Sequence, residues 1–300
     1  MKPSHVLLLL LTTMVWGFNF VAIRVGLDHV PPLTFTALRF IGAVVPAIFF
    51  VKKPDLPWHK LIAYGLVMFA AQFAFLFSAM NAGLSAGLAA LIIQVQAFFT
   101  IAIAAFLLRE KPLPFQVIGA GVAFCGLAVV GLHVGGDVTV LGLLFAVLAA
   151  FSWSCGNILT KTFGKVNVFG VVVWGSLFAS LPLLILAGLI EGPDVMVRSI
   201  AGMRGPAFLA LGYNIYASTF IGYTLWNRML SHYPAAMVVP FTLLVPAFAM
   251  ISAALMLGES YAVWKFEATI LILCGLALNQ FGSRAWMFIG GVFRPSQTPP

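Results

Sequence analysis

Apolar runs of about 20 residues, the length of helix that crosses a bilayer, fill almost the whole of this 300-residue sequence. Short connections rich in Pro, Gly or charge separate them, such as "KKPDLPWHK" and "IEGPD". The sequence therefore predicts an all-α integral membrane protein with ten transmembrane helices. Predicted spans 1 to 10 cover residues 5–23, 33–51, 60–80, 86–108, 113–132, 141–160, 168–189, 206–228, 235–257 and 264–282.

The composition excludes a water-soluble globular domain. Charged residues make up 8% of the chain against about 25% in soluble domains, and 62% of the chain is hydrophobic. The net charge of +8 comes from Lys and Arg scattered at the ends of apolar runs, not from a basic stripe with interleaved aromatics. We therefore predict membrane lipid as a partner and no nucleic acid. The three cysteines all lie within apolar runs, which indicates core residues and no disulfide framework.

The tetrapeptide "CGLA" occurs at residues 125–128 and again at 274–277, 149 positions further on. The same shift superimposes Glu110 on Glu259 and several apolar residues on identical partners. Self-similarity at a fixed distance indicates that the chain consists of two related units. We predict a first five-helix repeat at 1–138, a second at 139–284 and a disordered cytoplasmic tail at 285–300.

Lys and Arg also predict an orientation. If the amino terminus is cytoplasmic, eleven of the sixteen fall on the cytoplasmic side, as the positive-inside rule requires. Both termini are then cytoplasmic. Because each unit has five spans, an odd number, the second enters the membrane from the opposite side. Such inverted repeats are typical of alternating-access transporters, which bind substrate between the halves.

Two Trp–Asn pairs are candidates for substrate contacts or gates. Trp16 and Asn19 lie in span 1, and Trp153 and Asn157 lie in span 6. Span 1 runs outward and span 6 inward, so the sequence places one pair toward each membrane face. The alternative is structural: Trp as an interfacial belt residue and Asn as a bridge between helices.

Three glutamines lie near the predicted midplane, Gln72 in span 3 and Gln94 and Gln96 in span 4. Amides in a membrane need hydrogen-bond partners, so they face protein or a wet cavity. Gln94 and Gln96 stand about 200° apart around an α-helix, so we expect only one of them to face the cavity. The sequence leaves open which one it is.

Span 8 is the most polar span. Steps of three and four place Tyr213, Tyr216, Thr219 and Tyr223 on one helical face. Hydroxyls and rings on one face suit an amphipathic solute with an uncharged polar group, although a helix packed in mid-bundle has a similar pattern. In span 9, Pro240 and Pro246 each free backbone carbonyls and favour a kink.

All eight carboxylates fall in loops or near span ends, and no Asp, Glu or His lies at a predicted midplane. Proton-driven transporters usually carry such a residue as a relay, so facilitated diffusion or exchange is favoured over proton coupling. The chain also has no H-E-x-x-H motif and no acid pair, so we predict no enzyme, no catalytic residue, no metal and no cofactor. Arg39 near the outer end of span 2 either attracts an anion or snorkels to the interface.

Several segments resemble the EamA branch of the drug/metabolite transporter superfamily. They are "VWGFNFVAIRVG", "LRF", "AQFAFLFSAMNAGLSAGLAALIIQVQAFFT", "FSWSCGNI" and "LLVPAFAMISAALMLGE". Within this branch the glutamine-rich segment is most similar to bacterial inner-membrane exporters of cysteine and O-acetylserine, which implies a bacterial inner membrane as the location. The resemblance implies a basket-shaped transporter with a cavity lined by spans 1, 3, 4, 6, 8 and 9. It points to nine substrate-binding residues, Trp16, Asn19, Gln72, Gln94, Gln96, Trp153, Asn157, Tyr213 and Tyr216. Ala97 stands where the family commonly has a Pro in span 4.

The predicted function is export of small neutral amino acids or their derivatives. Alternatives are a broader exporter of aromatic amino acids or toxic metabolites, and a proton-coupled antiporter. A lipid or nucleotide-sugar carrier would need several cations in its cavity for a phosphate. A channel-like protein also stays open, and counterflow distinguishes it from a carrier. The sequence does not specify the exact substrate or the oligomeric state.

Overall fold

The structure is a computed structural model that describes residues 1–233 and 235–292. Spans 1 to 7 correspond to helical segments Pro3–Leu27, Pro32–Phe49, Trp58–Asn81, Ala86–Leu107, Pro114–Leu132, Val140–Lys161 and Val168–Glu191. Span 8 is helical over 205–232, span 9 over 235–257 and span 10 over Val263–Val292. A short surface helix that the sequence analysis did not predict, Pro193–Ala201, lies between spans 7 and 8.

The all-α prediction is confirmed. Across residues 1–233 and 235–292 no β-strand forms, and the only bridge joins Gly135 to Val138. Eight helices there are long and apolar enough to cross a membrane. Helices also form at spans 8 and 10, where polar residues such as Asn214 and Asn279 interrupt the apolar pattern. The count of ten membrane helices stays a prediction.

Span 10 continues ten residues beyond its predicted end. The helix runs to Val292 through the apolar stretch that follows Arg284, so residues 285–292 are helical and not a disordered tail. The rest of that predicted tail, 293–300, lies outside the described residues.

Successive spans alternate in direction, which places the connections at two faces of the bundle. The amino-terminal face carries the amino terminus and the connections at 50–57, 108–113 and 162–167. The opposite face carries the connections at 28–31, 82–85, 133–139 and 258–262. Hydrogen bonds at the faces agree with this arrangement, for example that from the Lys60 ammonium, in the first turn of span 3, to the Thr162 carbonyl at the amino-terminal face.

Local departures from α-helical geometry recur in the two halves at the 149-residue shift. Span 3 is π-helical over Gly65–Ala71, and span 8 is π-helical over Tyr213–Ile221, which contains the shifted positions 214–220. Span 4 has a 3-10 turn at Ile93–Val95, and span 9 has one at Val239–Leu243, which overlaps the shifted positions 242–244. Such interruptions are uncommon in helices. Their recurrence supports the predicted repeat.

The ends of spans 4 and 9 show the same correspondence. Arg109 has a left-handed φ of 54°, and Gly258, its counterpart, has a φ of 66°. In the next position the amide of Glu110 donates to the Ala104 carbonyl, and that of Glu259 donates to the Ala253 carbonyl, both at 3.3 Å. One turn lies at the amino-terminal face and the other at the opposite face, as an inverted repeat requires.

Both "CGLA" copies lie where spans 5 and 10 pack together, each against residues of the other span. A Cβ on Gly126 would lie 2.9 Å from the carbonyl oxygen of Ala268, and one on Gly275 would overlap the carbonyl oxygen of Gly119. Gly119 and Ala268 are themselves related by the 149-residue shift. The repeated glycine thus allows close backbone approach at both halves of one symmetric helix contact.

We expect Gly126→Val to lower the thermal unfolding midpoint in detergent by several degrees. The added side chain overlaps Ile272 and the Ala268 backbone, and overpacking of this kind costs about 1–3 kcal/mol. Gly121→Val is a matched control on the same helix, because a Cβ at Gly121 meets nothing within 4 Å. Equal midpoints for the two variants would contradict the close packing of spans 5 and 10.

Candidate functional site

A central cavity of about 1060 Å³ lies between the two halves of the bundle. Spans 1 to 4 and 6 to 10 contribute to its wall. The wall includes the connection between spans 6 and 7, from Phe163 to Val168, which lies at the amino-terminal face. The cavity therefore reaches that face.

At the opposite face the two halves are joined by a carboxylate cap. The Glu259 carboxylate accepts hydrogen bonds from the backbone amides of Ala86, at 2.6 Å, and Gly87, at 3.2 Å. These are the first amides of span 4, which have no partner inside the helix and carry its positive dipole end. The Tyr261 hydroxyl also donates to Glu259, at 3.1 Å. Burial and the neighbouring carboxylate raise the pKa of Tyr261, so the hydroxyl keeps its proton.

Other polar contacts join the connections of this face. The Lys265 ammonium, which is almost fully buried, pairs with the Asp137 carboxylate. The Thr139 hydroxyl donates to the Ala82 carbonyl at 2.6 Å, and the Arg24 guanidinium donates to the Met80 carbonyl at 3.3 Å. Together with Glu259 these contacts hold the opposite face closed in this structure.

All three predicted glutamines line the cavity. The prediction that only one of Gln94 and Gln96 faces it was wrong. The 3-10 turn at Ile93–Val95 precedes Gln96 directly, and its 3.0 residues per turn bring positions two apart to within about 120° of each other, against about 160° in an α-helix. The Gln94 amide nitrogen donates to the Thr242 carbonyl at 3.1 Å, which links span 4 to the 3-10 turn of span 9.

Both Trp–Asn pairs also line the cavity. The Trp16 indole donates to the Ser218 carbonyl at 3.1 Å. The Asn157 amide donates to the side-chain oxygen of Gln96, at 2.8 Å, and to the Thr100 hydroxyl, at 3.2 Å. The buried side-chain oxygen of Asn19 has no hydrogen-bond partner among the described residues. These contacts join spans 1 and 8 and spans 4 and 6 around the cavity.

The two predicted tyrosines of span 8 do not line the cavity. The Tyr213 hydroxyl donates to the Val15 carbonyl at 2.9 Å, and Tyr216 is 56% exposed on the outside of the bundle. The α-helical spacing used for the prediction fails because this segment is π-helical, with more residues per turn. The Thr219 hydroxyl, for example, bonds the carbonyl of Asn214 five residues back. Ser218, Tyr223 and Trp226 supply the cavity wall of span 8 instead.

The structure adds cavity residues that the sequence analysis did not assign. Arg39 lines the cavity and is 2% exposed, so it does not snorkel to the interface. Asn279 and Gln280 line the cavity from span 10. Adjacent amides within the apolar run "LALNQF" were the available signal. Within residues 1–233 and 235–292 no three His, Cys, Asp or Glu side chains are close enough to hold a metal ion.

A membrane-spanning helical bundle whose cavity carries polar side chains and reaches one face has the architecture of a membrane transporter. The chain belongs to the EamA-like transporter family, whose model matches residues 3–132 and again residues 140–281. The protein is therefore a multi-pass membrane transporter, not an enzyme.

Two relatives are named "Probable amino-acid metabolite efflux pump". The Escherichia coli protein is 40% identical over 95% of this chain and 97% of its own length. The Salmonella typhimurium protein is 40% identical over 92% of this chain and 95% of its own length. The uncharacterized transporter YoaV of Bacillus subtilis is 26% identical over 90% of this chain and 94% of its own. One crystal structure matches 95% of this chain and 99% of the crystallised chain, with a TM-score of 0.63 and 20% sequence identity. The two proteins therefore share the fold.

Proposed function

We propose that this protein exports small neutral amino acids or their derivatives, of the cysteine and O-acetylserine type, from the cytoplasm through a bacterial inner membrane. The observation that carries the proposal is the set of uncharged amides around one cavity, above all Gln72, Gln94 and Gln96. Amides offer both donors and acceptors, which suits a solute that carries an ammonium and a carboxylate. The names of the Escherichia coli and Salmonella typhimurium relatives support the same substrate class.

Transport proceeds by alternating access in this proposal. With the amino terminus in the cytoplasm, the cavity is open to the cytoplasm and Glu259 closes the outer face. Its counterpart Glu110 lies at the amino-terminal face and accepts two hydrogen bonds from the Lys161 ammonium, at 3.0 and 2.9 Å. The 149-residue shift takes Ala86 to Ala235, the start of span 9. In the outward-open state Glu110 therefore caps the first amides of span 9, as Glu259 caps span 4 here.

Facilitated diffusion or exchange agrees with the charges of the cavity better than proton coupling does. No Asp, Glu or His is among the residues that line the cavity in the described part of the chain. A carboxylate is the usual proton carrier of a coupled transporter. A proton-coupled antiporter is the alternative, and its substrate flux would follow an imposed pH gradient.

We expect saturable counterflow of labelled cysteine and O-acetylserine in proteoliposomes that contain the purified protein. The rate should not change when a pH gradient is imposed. Gln72→Ala and Gln94→Ala should each lower kcat/KM by about 5- to 30-fold, since each removes a cavity hydrogen bond worth about 1–2 kcal/mol. Asn81→Ala is the matched control, because this amide at the end of span 3 is exposed at the opposite face.

The result separates the candidate functions. Exchange of other solutes without either amino acid would overturn the substrate class and leave the transporter intact. Flux that follows the pH gradient would favour the antiporter. Uptake that opposing substrate does not stimulate would indicate a channel-like protein.

A further inference from the structure

Arg39 is a buried cation on the cavity wall. Its side chain is 2% exposed, and its guanidinium carbon lies 4.1 Å from the centre of the Phe73 ring. Nη1 donates to the side-chain oxygen of Asn214 at 2.9 Å, and Nη2 donates to the Thr219 hydroxyl at 3.4 Å. The partners of this guanidinium are therefore neutral groups of span 8 and an aromatic face.

No carboxylate of the described chain neutralises Arg39. Arg24–Asp28, Lys161–Glu110 and Lys265–Asp137 form ion pairs among the described residues, and none of these three pairs includes Arg39. A buried charge is costly unless it is paired and hydrogen-bonded. The cavity therefore has a fixed positive charge on its wall.

One edge of the guanidinium is available. Nε is buried and has no hydrogen-bond partner among the described residues. Nη2, on the same edge, has only the long 3.4 Å contact with Thr219. Two parallel N–H groups on one guanidinium edge match the two oxygens of a carboxylate, which they bind in a bidentate manner. Nη1 can keep its bond to Asn214 while this edge binds a ligand.

We infer that Arg39 binds the carboxylate of the transported solute through its Nε–Nη2 edge. The preferred substrates are then solutes with a free carboxylate. Esters, amides and amines that carry the same side chain but no carboxylate bind less tightly. This inference rests on the proposed function, since it names the group of an amino-acid substrate that the site selects. The carboxylate neutralises Arg39, and the cavity amides bind the remaining polar groups.

A structural role for Arg39 predicts different behaviour. The bond from Nη1 to Asn214 joins span 2 to span 8, and Arg39 could act only through this link. Asn214→Ala removes the link and keeps the guanidinium, whereas Arg39→Gln removes the charge and keeps a polar side chain. Arg39→Lys keeps the charge but loses the two-donor edge. These three variants separate the roles.

The test measures binding and counterflow on the same purified proteins. Binding of L-cysteine, O-acetylserine, cysteine amide, cysteamine and propionate is followed by isothermal titration calorimetry. We expect the wild type to bind the two amino acids and, more weakly, propionate, and to bind cysteine amide and cysteamine about 10- to 100-fold less tightly than cysteine. Arg39→Gln should remove this preference, Arg39→Lys should restore part of it, and Asn214→Ala should keep it.

Two results would overturn the inference. One is equal wild-type affinity for cysteine and its amide. The other is an Arg39→Gln protein that still prefers the acids. Failure of the proposed function gives a different pattern, with acid-selective binding but no counterflow of cysteine or O-acetylserine. If the Arg39→Gln protein does not fold, two measurements still test whether Arg39 binds the carboxylate. They are the affinities of the wild type for cysteine and cysteine amide, and the same two affinities of the Asn214→Ala protein.

Discussion

Glu259→Gln opens the cavity at the opposite face, and a cysteine placed at Leu76 then reacts several times faster with a reagent added on that side. Leu76 lines the cavity from the half of span 3 near the opposite face, and its side chain is 3% exposed in this structure. The Glu259 carboxylate joins the second half of the bundle to the first amides of span 4 in the first half. Loss of its charge therefore weakens the contact that closes this face.

The size of the effect follows from the kind of hydrogen bond. Bonds to a charged group contribute about 1.5–3 kcal/mol and neutral ones about 0.5–1.5 kcal/mol, so the substitution costs the closed state about 1–2 kcal/mol. The fraction of protein molecules that are open at the opposite face then rises about 5- to 30-fold, because a change of 1.4 kcal/mol corresponds to a factor of ten in an equilibrium constant. Glutamine keeps the shape of the side chain, but it has one acceptor oxygen where the carboxylate uses both, so the substitution removes the charge and one of the two backbone hydrogen bonds. The cost given above is therefore a lower bound.

The labelling experiment needs one reactive thiol and one matched variant. Cys125, Cys155 and Cys274 are first replaced by serine, Leu76→Cys is introduced, and a membrane-impermeant maleimide is added to vesicles of each orientation. Glu191→Gln is the control, because Glu191 also caps a helix at this face, through the amides of Leu33 and Thr34. It should leave labelling unchanged.

The control differs from Glu259 in the helices that it joins. Glu191 links spans 7 and 2 at the opposite face, and the Trp174 indole links them again at the amino-terminal face through the Val51 carbonyl. Two helices fixed to each other at both ends move together. Equal labelling of the Glu259→Gln and Glu191→Gln proteins would refute the role of Glu259 as a gate.

Hydropathy predicted most span boundaries to within a few residues, because membrane thickness and the cost of unpaired backbone groups fix helix length. The polar residues inside the spans and the family resemblance pointed to Gln72 and both Trp–Asn pairs, and these side chains lie on the cavity wall. Their roles as substrate contacts stay predictions. The misplaced tyrosines and the expectation of a single cavity glutamine in span 4 share one cause. Both assumed 3.6 residues per turn, and both fall in or beside segments with another period.

The burial of Arg39 could not be read from span 2 alone. A lone Arg near a helix end snorkels unless neighbouring helices enclose it. Here the enclosing groups are Phe73 of span 3 and Asn214 and Thr219 of span 8. Those contacts depend on how the spans pack, whereas the hydropathy of span 2 reports only its own residues.

Glu110→Gln has the opposite effect to Glu259→Gln. If Glu110 caps span 9 in the outward-open state, loss of its charge destabilises that state, and labelling of Leu76→Cys from the opposite face falls several-fold. Turnover falls as well, because the transporter spends less time open to that side. The measurements are the labelling rate in the cysteine-free background and counterflow in proteoliposomes.

Lys161 provides the control that separates this role from a simple surface ion pair. In the present state Glu110 and Lys161 form a pair with side chains 54% and 44% exposed, and exposed pairs contribute only about 0–1 kcal/mol. If the pair were the whole role of Glu110, Lys161→Gln and Glu110→Gln would shift labelling in the same direction. If Glu110 is the counterpart of Glu259, Lys161→Gln frees Glu110 to cap span 9, and labelling from the opposite face rises.

The double variant Glu110→Gln/Glu259→Gln should return toward the wild-type labelling rate. The reason is that the two substitutions destabilise opposite states of one equilibrium.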